Sequence, residues 1–255
     1  MYSGVRVVTG ATLLALGLVA CGGGGGDSTP APGPTAEGVY GGTLSGSTTG
    51  AFQLMVLENG EYWALYGTQS SSAFHVAGFL QGTGNSNSGS FTSSDTKDFG
   101  DLPAAAGSTS ATYNAAAKTI SGTVSTGAGS TSFAGGPVAG SAYNYDAPAS
   151  LGTIAGNWTV TDLLGETIAI SIAANGTFTA ATNSGCNFSG TISPRASGKN
   201  VFDTALTFGS APCALPGQPA RGVAIAYPLS ASVTQLAVAV INTSRTVGTA
   251  AAGTR

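Results

Sequence analysis

The stretch FQLMVLENGEYWALYG, from Phe52 to Gly67, decides the fold that this sequence predicts. Apolar residues alternate on both sides of Asn59-Gly60, which is the pattern of two strands that each bury one face. Asn-Gly between two such runs is a strong hairpin signal, because both central residues of a type I′ turn need a positive φ. The segment therefore predicts a β-hairpin. No stretch of the chain shows the apolar spacing of an amphipathic helix.

The same arrangement returns in the second half of the chain, where alternating isoleucines from Ile168 lead into Asn175-Gly176. Short runs rich in Ser, Thr and Gly follow each hairpin, with turn residues between them. Such spacing is typical of small antiparallel barrels and sandwiches. We therefore predict an all-β protein with two tandem small antiparallel β-barrels or sandwiches, which comprise residues 37–147 and 148–255.

The first twenty residues, MYSGVRVVTGATLLALGLVA, carry one cation at Arg6 and then an apolar run that ends in small residues. This is a signal-peptide pattern, and the run is too short to span a bilayer. The tetrad LVAC resembles the lipobox of bacterial lipoproteins, in which the cysteine, here Cys21, receives a diacylglycerol and becomes the mature N-terminus. The alternative is a secreted protein with a free cysteine. No base, cation or helix start near Cys21 would activate its thiol as a nucleophile.

Residues 21–36 are rich in Gly and Pro, and this composition predicts a flexible tether after a lipidated Cys21. Two or three acyl chains hold a protein on a membrane stably, whereas one chain is marginal. Gly22, where an Asp would direct retention in the inner membrane, implies an outer-membrane lipoprotein by the same resemblance. Whether the protein faces the periplasm or the cell surface stays open.

The composition excludes several classes of partner. Only 7% of the residues are charged while 42% are hydrophobic, which favours a folded chain over a disordered one. Without the signal peptide, seven cations stand against eleven anions, and no basic patch is present for nucleic acid. The glycine-rich run has no following helix and so does not predict a phosphate loop. No cofactor is predicted.

Two cysteines, Cys186 and Cys213, remain in the predicted mature body. An even pair in an oxidising compartment predicts a disulfide. A metal site is the alternative, but it would need histidine or carboxylate ligands, and the chain has a single histidine, His75.

Catalytic residues are not predicted. His75 lies in an alternating run and reads as a half-exposed strand residue, with no nucleophile fixed near it. The acidic cluster Asp95, Asp98 and Asp101 departs from the EF-hand spacing and contains Lys97, so a polar loop is favoured over a Ca²⁺ site. We therefore predict a protein that is not an enzyme and holds no metal.

Two groups of side chains are candidates for ligand binding. Tyr62, Trp63 and Tyr66 form either a ligand-facing aromatic set or part of the core. Arg195 and Lys199 lie inside the predicted disulfide loop, in either an ordinary turn or a binding surface presented on a rigid scaffold.

The layout of lipobox, tether and tandem β units resembles Gram-negative surface lipoproteins with paired β-barrels, such as transferrin-binding protein B and factor H-binding protein. The block from Cys186 to Cys213 is similar to bacterial lipoproteins of unknown role. The resemblance implies an outer-membrane lipoprotein, anchored by lipid, that binds a protein or a small molecule. The alternative is a structural or assembly component of the envelope without a discrete ligand. A cavity inside one barrel would favour a small ligand, whereas an exposed apolar patch would favour a protein partner.

Overall fold

The computed structural model of the chain describes residues 33–70, 73–100, 103–138 and 141–255. These residues form seventeen strands and one four-residue helix. The predicted signal peptide, Cys21 and most of the predicted tether lie outside the described residues, and so does Asp101. Among the described helices none is long and apolar enough to cross a membrane.

The first barrel, barrel 1, is built from the first nine strands. Their bounds are β1 (Gly38–Gly46), β2 (Gly50–Val56), β3 (Glu61–Gln69), β4 (Phe74–Thr83), β5 (Asn85–Asn87), β6 (Ser90–Asp98), β7 (Ala105–Asn114), β8 (Thr119–Thr126) and β9 (Gly129–Gly136). The strands neighbour one another in the order β4-β3-β2-β1-β9-β8-β7-β6, and a pairing of β4 with β6 closes the ring. This seam pairs Leu80 with Asp98 and Gln81 with Lys97, while β5 pairs with β6 outside the ring.

The second barrel, barrel 2, begins after a single helical turn. The elements are α1 (Leu151–Ile154), β10 (Gly156–Asp162), β11 (Thr167–Ile172), β12 (Thr177–Thr182), β13 (Asn187–Pro194), β14 (Phe202–Phe208), β15 (Pro219–Pro228), β16 (Thr234–Ile241) and β17 (Gly248–Thr254). Each strand pairs antiparallel with the next, and β10 pairs with β17 to close the barrel. The chain is therefore all-β with two closed eight-stranded antiparallel barrels, as the alternation predicts.

The two Asn-Gly hairpins are present, but their turns differ from the type I′ geometry that the sequence predicts. Only the glycines have a positive φ, 80° at Gly60 and 84° at Gly176, whereas Asn59 and Asn175 do not. In both hairpins the asparagine Oδ1 instead accepts the backbone N–H two residues later. Each asparagine stabilises a four-residue turn that ends in a left-handed glycine, a geometry that also matches strand twist.

Three apolar clusters hold the described part of the chain together. One fills the interior of barrel 2 and one lines the interior of barrel 1. The third lies between the barrels, where the outward faces of β2, β3 and β4 pack against those of β15, β16 and β17. Strands buried on both faces have nearly continuous apolar sequence. This explains the runs QLMV in β2 and LAVAVI in β16.

The predicted disulfide is present and joins Cys186 to Cys213. Cys186 directly precedes β13, and Cys213 lies in the loop between β14 and β15. The bond therefore braces neighbouring connections of barrel 2.

Candidate ligand-binding cavity

A cavity of about 160 Å³ lies inside barrel 1. Its walls are mainly apolar and include Phe52, Leu54, Phe91 and Phe133. It extends to Ser47 and Thr48 in the β1–β2 turn, to Ala128 in the β8–β9 turn and to Gly129 at the start of β9. Small residues at these turns leave the barrel open at this end, which we call the mouth.

Two tyrosines form much of one wall, and each lies against a glycine of the neighbouring strand. Tyr62 pairs across strands with Gly82, and Tyr66 pairs with Gly78. A Cβ at Gly82 would come within 2.6 Å of the Tyr62 hydroxyl, and one at Gly78 within 2.3 Å of the Tyr66 hydroxyl. Glycine is therefore required at both positions so that the rings can lie flat along the wall.

The hydroxyl of Tyr62 reaches past β4 to a buried polar cluster on β6 and β7. It lies 2.7 Å from Thr96 Oγ1 and 3.2 Å from Thr109 Oγ1, and these two hydroxyls are 2.9 Å apart. Ser93 completes the cluster by donating to the Thr83 carbonyl. Each hydroxyl of the cluster therefore has a partner, and the cluster leaves none of these buried polar groups unsatisfied.

Asp98 is the single charged side chain among the described residues that line the cavity. Its Oδ1 accepts a hydrogen bond from the Tyr66 hydroxyl at 2.8 Å and another from the Gly100 backbone N–H at 2.9 Å. No cation pairs with Asp98 within the described residues. The cavity therefore combines apolar walls with one fixed carboxylate.

The end of barrel 1 opposite the mouth is closed by the segment that leads into β1. The Tyr113 hydroxyl donates to the Pro34 carbonyl at 2.6 Å, and the Tyr40 hydroxyl donates to the Ala36 carbonyl at 2.7 Å. The backbone N–H of Ala36 donates to Ser86 Oγ. Burial raises the pKa of Tyr40 to about 12, with smaller contributions from Tyr113 and Glu37. The last residues of the predicted tether thus contact the barrel closely.

Barrel 2 has no comparable space in its described interior. The void among its core side chains is about 40 Å³, and it is lined by Ile168, Ile170, Ile172 and Phe178 among others. The Trp158 indole packs inside, and its Nε1–H donates to the Ile154 carbonyl at 2.7 Å. Large side chains on successive inward positions therefore fill this barrel.

The predicted aromatic set is divided between two faces of β3. Tyr62 and Tyr66 face the cavity, whereas Trp63 points outward into the layer between the barrels. Trp63 is 1% exposed and stacks on Phe79 with 6.2 Å between ring centroids. A ligand would therefore contact the two tyrosines and not the Trp63 ring, because successive side chains of a strand point to opposite faces.

Arg195 and Lys199 lie in the β13–β14 turn, where both contact acidic residues of barrel 1 or the connection between the barrels. Arg195 Nε is 2.9 Å from Glu58 Oε1. Lys199 Nζ is 2.8 Å from Glu37 Oε1 and 2.9 Å from Asp146 Oδ1. These hydrogen bonds raise the pKa of Lys199. Instead of a free binding surface, the two cations form ion pairs that join the barrels; their ligand-binding role stays a prediction.

The acidic cluster of the sequence is also divided. Asp95 pairs with Arg245 of the β16–β17 turn at 2.7 Å, while Asp98 turns toward the cavity. Within the described residues no group of three His, Cys, Asp or Glu side chains could hold a metal ion. His75 is exposed on β4.

No family model and no curated protein matches this chain. Among solved structures, a DUF3598 protein of unknown function from Nostoc punctiforme is similar over 86% of this chain and 94% of its own, at 8% identity and a TM-score of 0.27. A variant of the vaccine antigen transferrin-binding protein B from Haemophilus parasuis is similar over 80% of this chain and 65% of its own, at 8% identity and a TM-score of 0.26. With TM-scores of this size, the architecture rests on the strands and pairings described above.

Proposed function

We propose that this chain is a non-enzymatic, lipid-anchored protein of the bacterial outer membrane, and that barrel 1 binds a small, mainly apolar molecule. The observation that carries the ligand proposal is the cavity in barrel 1, whose apolar walls reach an open end. Concave apolar sites with a few polar groups are the usual form of small-molecule sites.

The size of the cavity limits the ligand. An apolar cavity of about 150 Å³ in another protein stays dry and binds benzene or xenon. The cavity of barrel 1 is about 160 Å³ and open at one end. It therefore suits one ring or a short branched chain, with room for a substituent that points out through the mouth.

The position of the mouth fits a tethered protein. The chain enters barrel 1 at Pro34 and Ala36, which lie against Tyr113 and Tyr40 at the closed end. The mouth lies at the opposite end, beside the β1–β2 and β8–β9 turns. A tether attached at the closed end would leave the mouth accessible from water. The anchor itself rests on the sequence of the leader, and palmitate labelling that persists in Cys21→Ala would contradict it.

Binding of toluene tests the ligand proposal. We expect toluene to raise the melting temperature of the protein and to show ligand-detected NMR saturation transfer, because a ligand that binds only the folded state stabilises it. In Ala64→Leu, whose new side chain projects into the cavity, toluene should bind at least about tenfold more weakly.

The matched control is Ala169→Leu, which places the same side chain on the exposed outer face of β11. Toluene should bind this variant as it binds the wild type. Equal binding by wild type and Ala64→Leu would show that toluene binds elsewhere, and no binding by the wild type would contradict the ligand proposal.

A further inference from the structure

The carboxylate of Asp98 gives the cavity of barrel 1 a defined electrostatic character. Among the described residues, Tyr66 and Gly100 donate hydrogen bonds to this side chain, and both bonds end on Oδ1. Its Oδ2 has no hydrogen-bond or ion-pair partner within the described residues. The two donors fix the carboxylate in place, and one oxygen remains available to a ligand.

Among the described residues that line the cavity, none carries a charge that balances this carboxylate. Every other described residue of the lining is uncharged. Lys97, the neighbour of Asp98 on β6, lies on the opposite face of the strand because side chains alternate. A carboxylate that is held beside apolar walls favours a ligand that donates hydrogen bonds, and most of all a ligand that carries a positive charge.

From these observations we infer that barrel 1 selects a small amine, with a hydrocarbon part of about one ring against the apolar walls and an ammonium group on Asp98. This inference rests on the proposed function and names its substrate class. A ligand with a carboxylate head, such as a fatty acid, would place a second negative charge beside Asp98 and be rejected.

Four probes with the same ring and different head groups test the inference on the wild-type protein. They are toluene, benzyl alcohol, benzylamine and benzoate, measured by titration at neutral pH and low salt. We expect benzylamine to bind about tenfold more tightly than benzyl alcohol, because hydrogen bonds to charged groups are the stronger ones. Benzoate should bind more weakly than toluene.

Variants locate the preference. Asp98→Asn keeps an oxygen that can accept from Tyr66 and Gly100 but removes the charge, so benzylamine and benzyl alcohol should bind it about equally. Glu166→Gln removes a charge from the β10–β11 turn of barrel 2, where Glu166 accepts from Ser184, and should keep the preference of the wild type.

The outcomes separate this inference from the proposed function. The amine inference is wrong if benzylamine binds no more tightly than benzyl alcohol, or if benzoate binds as tightly as benzylamine. In either case the binding of toluene would still show that the cavity takes apolar molecules. A preference for benzylamine that survives in Asp98→Asn would also overturn the inference. If none of the four probes binds, the proposed function fails as well.

Discussion

Barrels 1 and 2 have the same number of strands in the ring and the same Asn-Gly hairpin, but their interiors differ. Barrel 2 is filled by branched and aromatic side chains around a void of about 40 Å³. Barrel 1 places small residues such as Ala64, Thr109 and Gly129 where large side chains would be needed to fill it, and a cavity of about 160 Å³ results.

The difference shows that strand number fixes the width of a small barrel while the inward side chains decide whether it is filled. In barrel 1 the long tyrosine rings lie along the wall against Gly78 and Gly82 and do not project toward the axis. In barrel 2 the isoleucines of β11 occupy three successive inward positions. The interior of barrel 2 is therefore filled by its own side chains, whereas the interior of barrel 1 has space for a ligand.

Removal of the disulfide should have the largest effect, and it should fall on barrel 2. Replacing Cys186 and Cys213 together by alanine frees a loop of about 28 residues and should lower the free energy of unfolding by about 3 to 4 kcal/mol. Urea unfolding followed by tryptophan fluorescence measures this, since Trp158 lies inside barrel 2. Reduction of the wild type should give the same loss, and a loss below about 1 kcal/mol would mean that packing alone holds barrel 2.

Adding the same side chain to the two interiors tests the contrast directly. Ala64 lines the cavity of barrel 1, and Ala224 is 1% exposed in the core of barrel 2. Ala224→Leu should lower the free energy of unfolding by about 1 to 3 kcal/mol through overpacking, whereas Ala64→Leu should change it by less than about 1 kcal/mol. Equal losses in the two variants would contradict the claim that only barrel 1 has spare volume.

The ion pairs between the barrels should contribute least. Arg195→Met removes pairs with Glu58 and Asp203 at a partly exposed site, so we expect a loss of about 1 kcal/mol. Lys199→Met should lower the free energy of unfolding by less than Arg195→Met does, because Asp146, one of the partners of Lys199, is 59% exposed. Toluene affinity should be unchanged in both variants. A loss of toluene binding with unchanged stability would contradict the placement of the toluene site inside barrel 1, because neither cation lines that cavity.

Much of the fold follows from local patterns in the sequence. Alternation around Asn59-Gly60 and Asn175-Gly176 predicts the hairpins, and the all-β prediction is confirmed. The disulfide of Cys186 with Cys213 is confirmed as well. These features depend on residues close in sequence, or on the small number of cysteines, and not on tertiary detail.

The packing of the barrels against each other is visible in the sequence as a strand whose apolar residues do not alternate with polar ones. The run LAVAVI of β16 is apolar at every position, which indicates a strand buried on both faces. Likewise, the alternation that separates Tyr62 from Trp63 already assigns them to opposite faces. The surface that β16 packs against is formed by β2, β3 and β4. Which surface this is depends on how the two barrels meet, and the sequence of β16 does not predict it.

The cavity could not be predicted from residue patterns. It forms because the inward side chains of strands distant in sequence, such as β3 and β8, do not fill the space between them. It also depends on the direction of the Tyr62 and Tyr66 rings. The sequence grouped Asp98 with Asp95 and Asp101, whereas the structure brings it to Tyr66 across the β4–β6 seam. The three acids are close together in sequence, so the pattern indicates one cluster, and nothing in it indicates a contact with Tyr66.

Xenon binding in a crystal distinguishes an open interior from a filled one, because xenon enters apolar cavities regardless of head-group chemistry. We expect one xenon site inside barrel 1, among Phe52, Leu54 and Phe133, and none inside barrel 2. Xenon in both barrels, or in neither, would contradict the claim that the first barrel is open to a ligand and the second is filled.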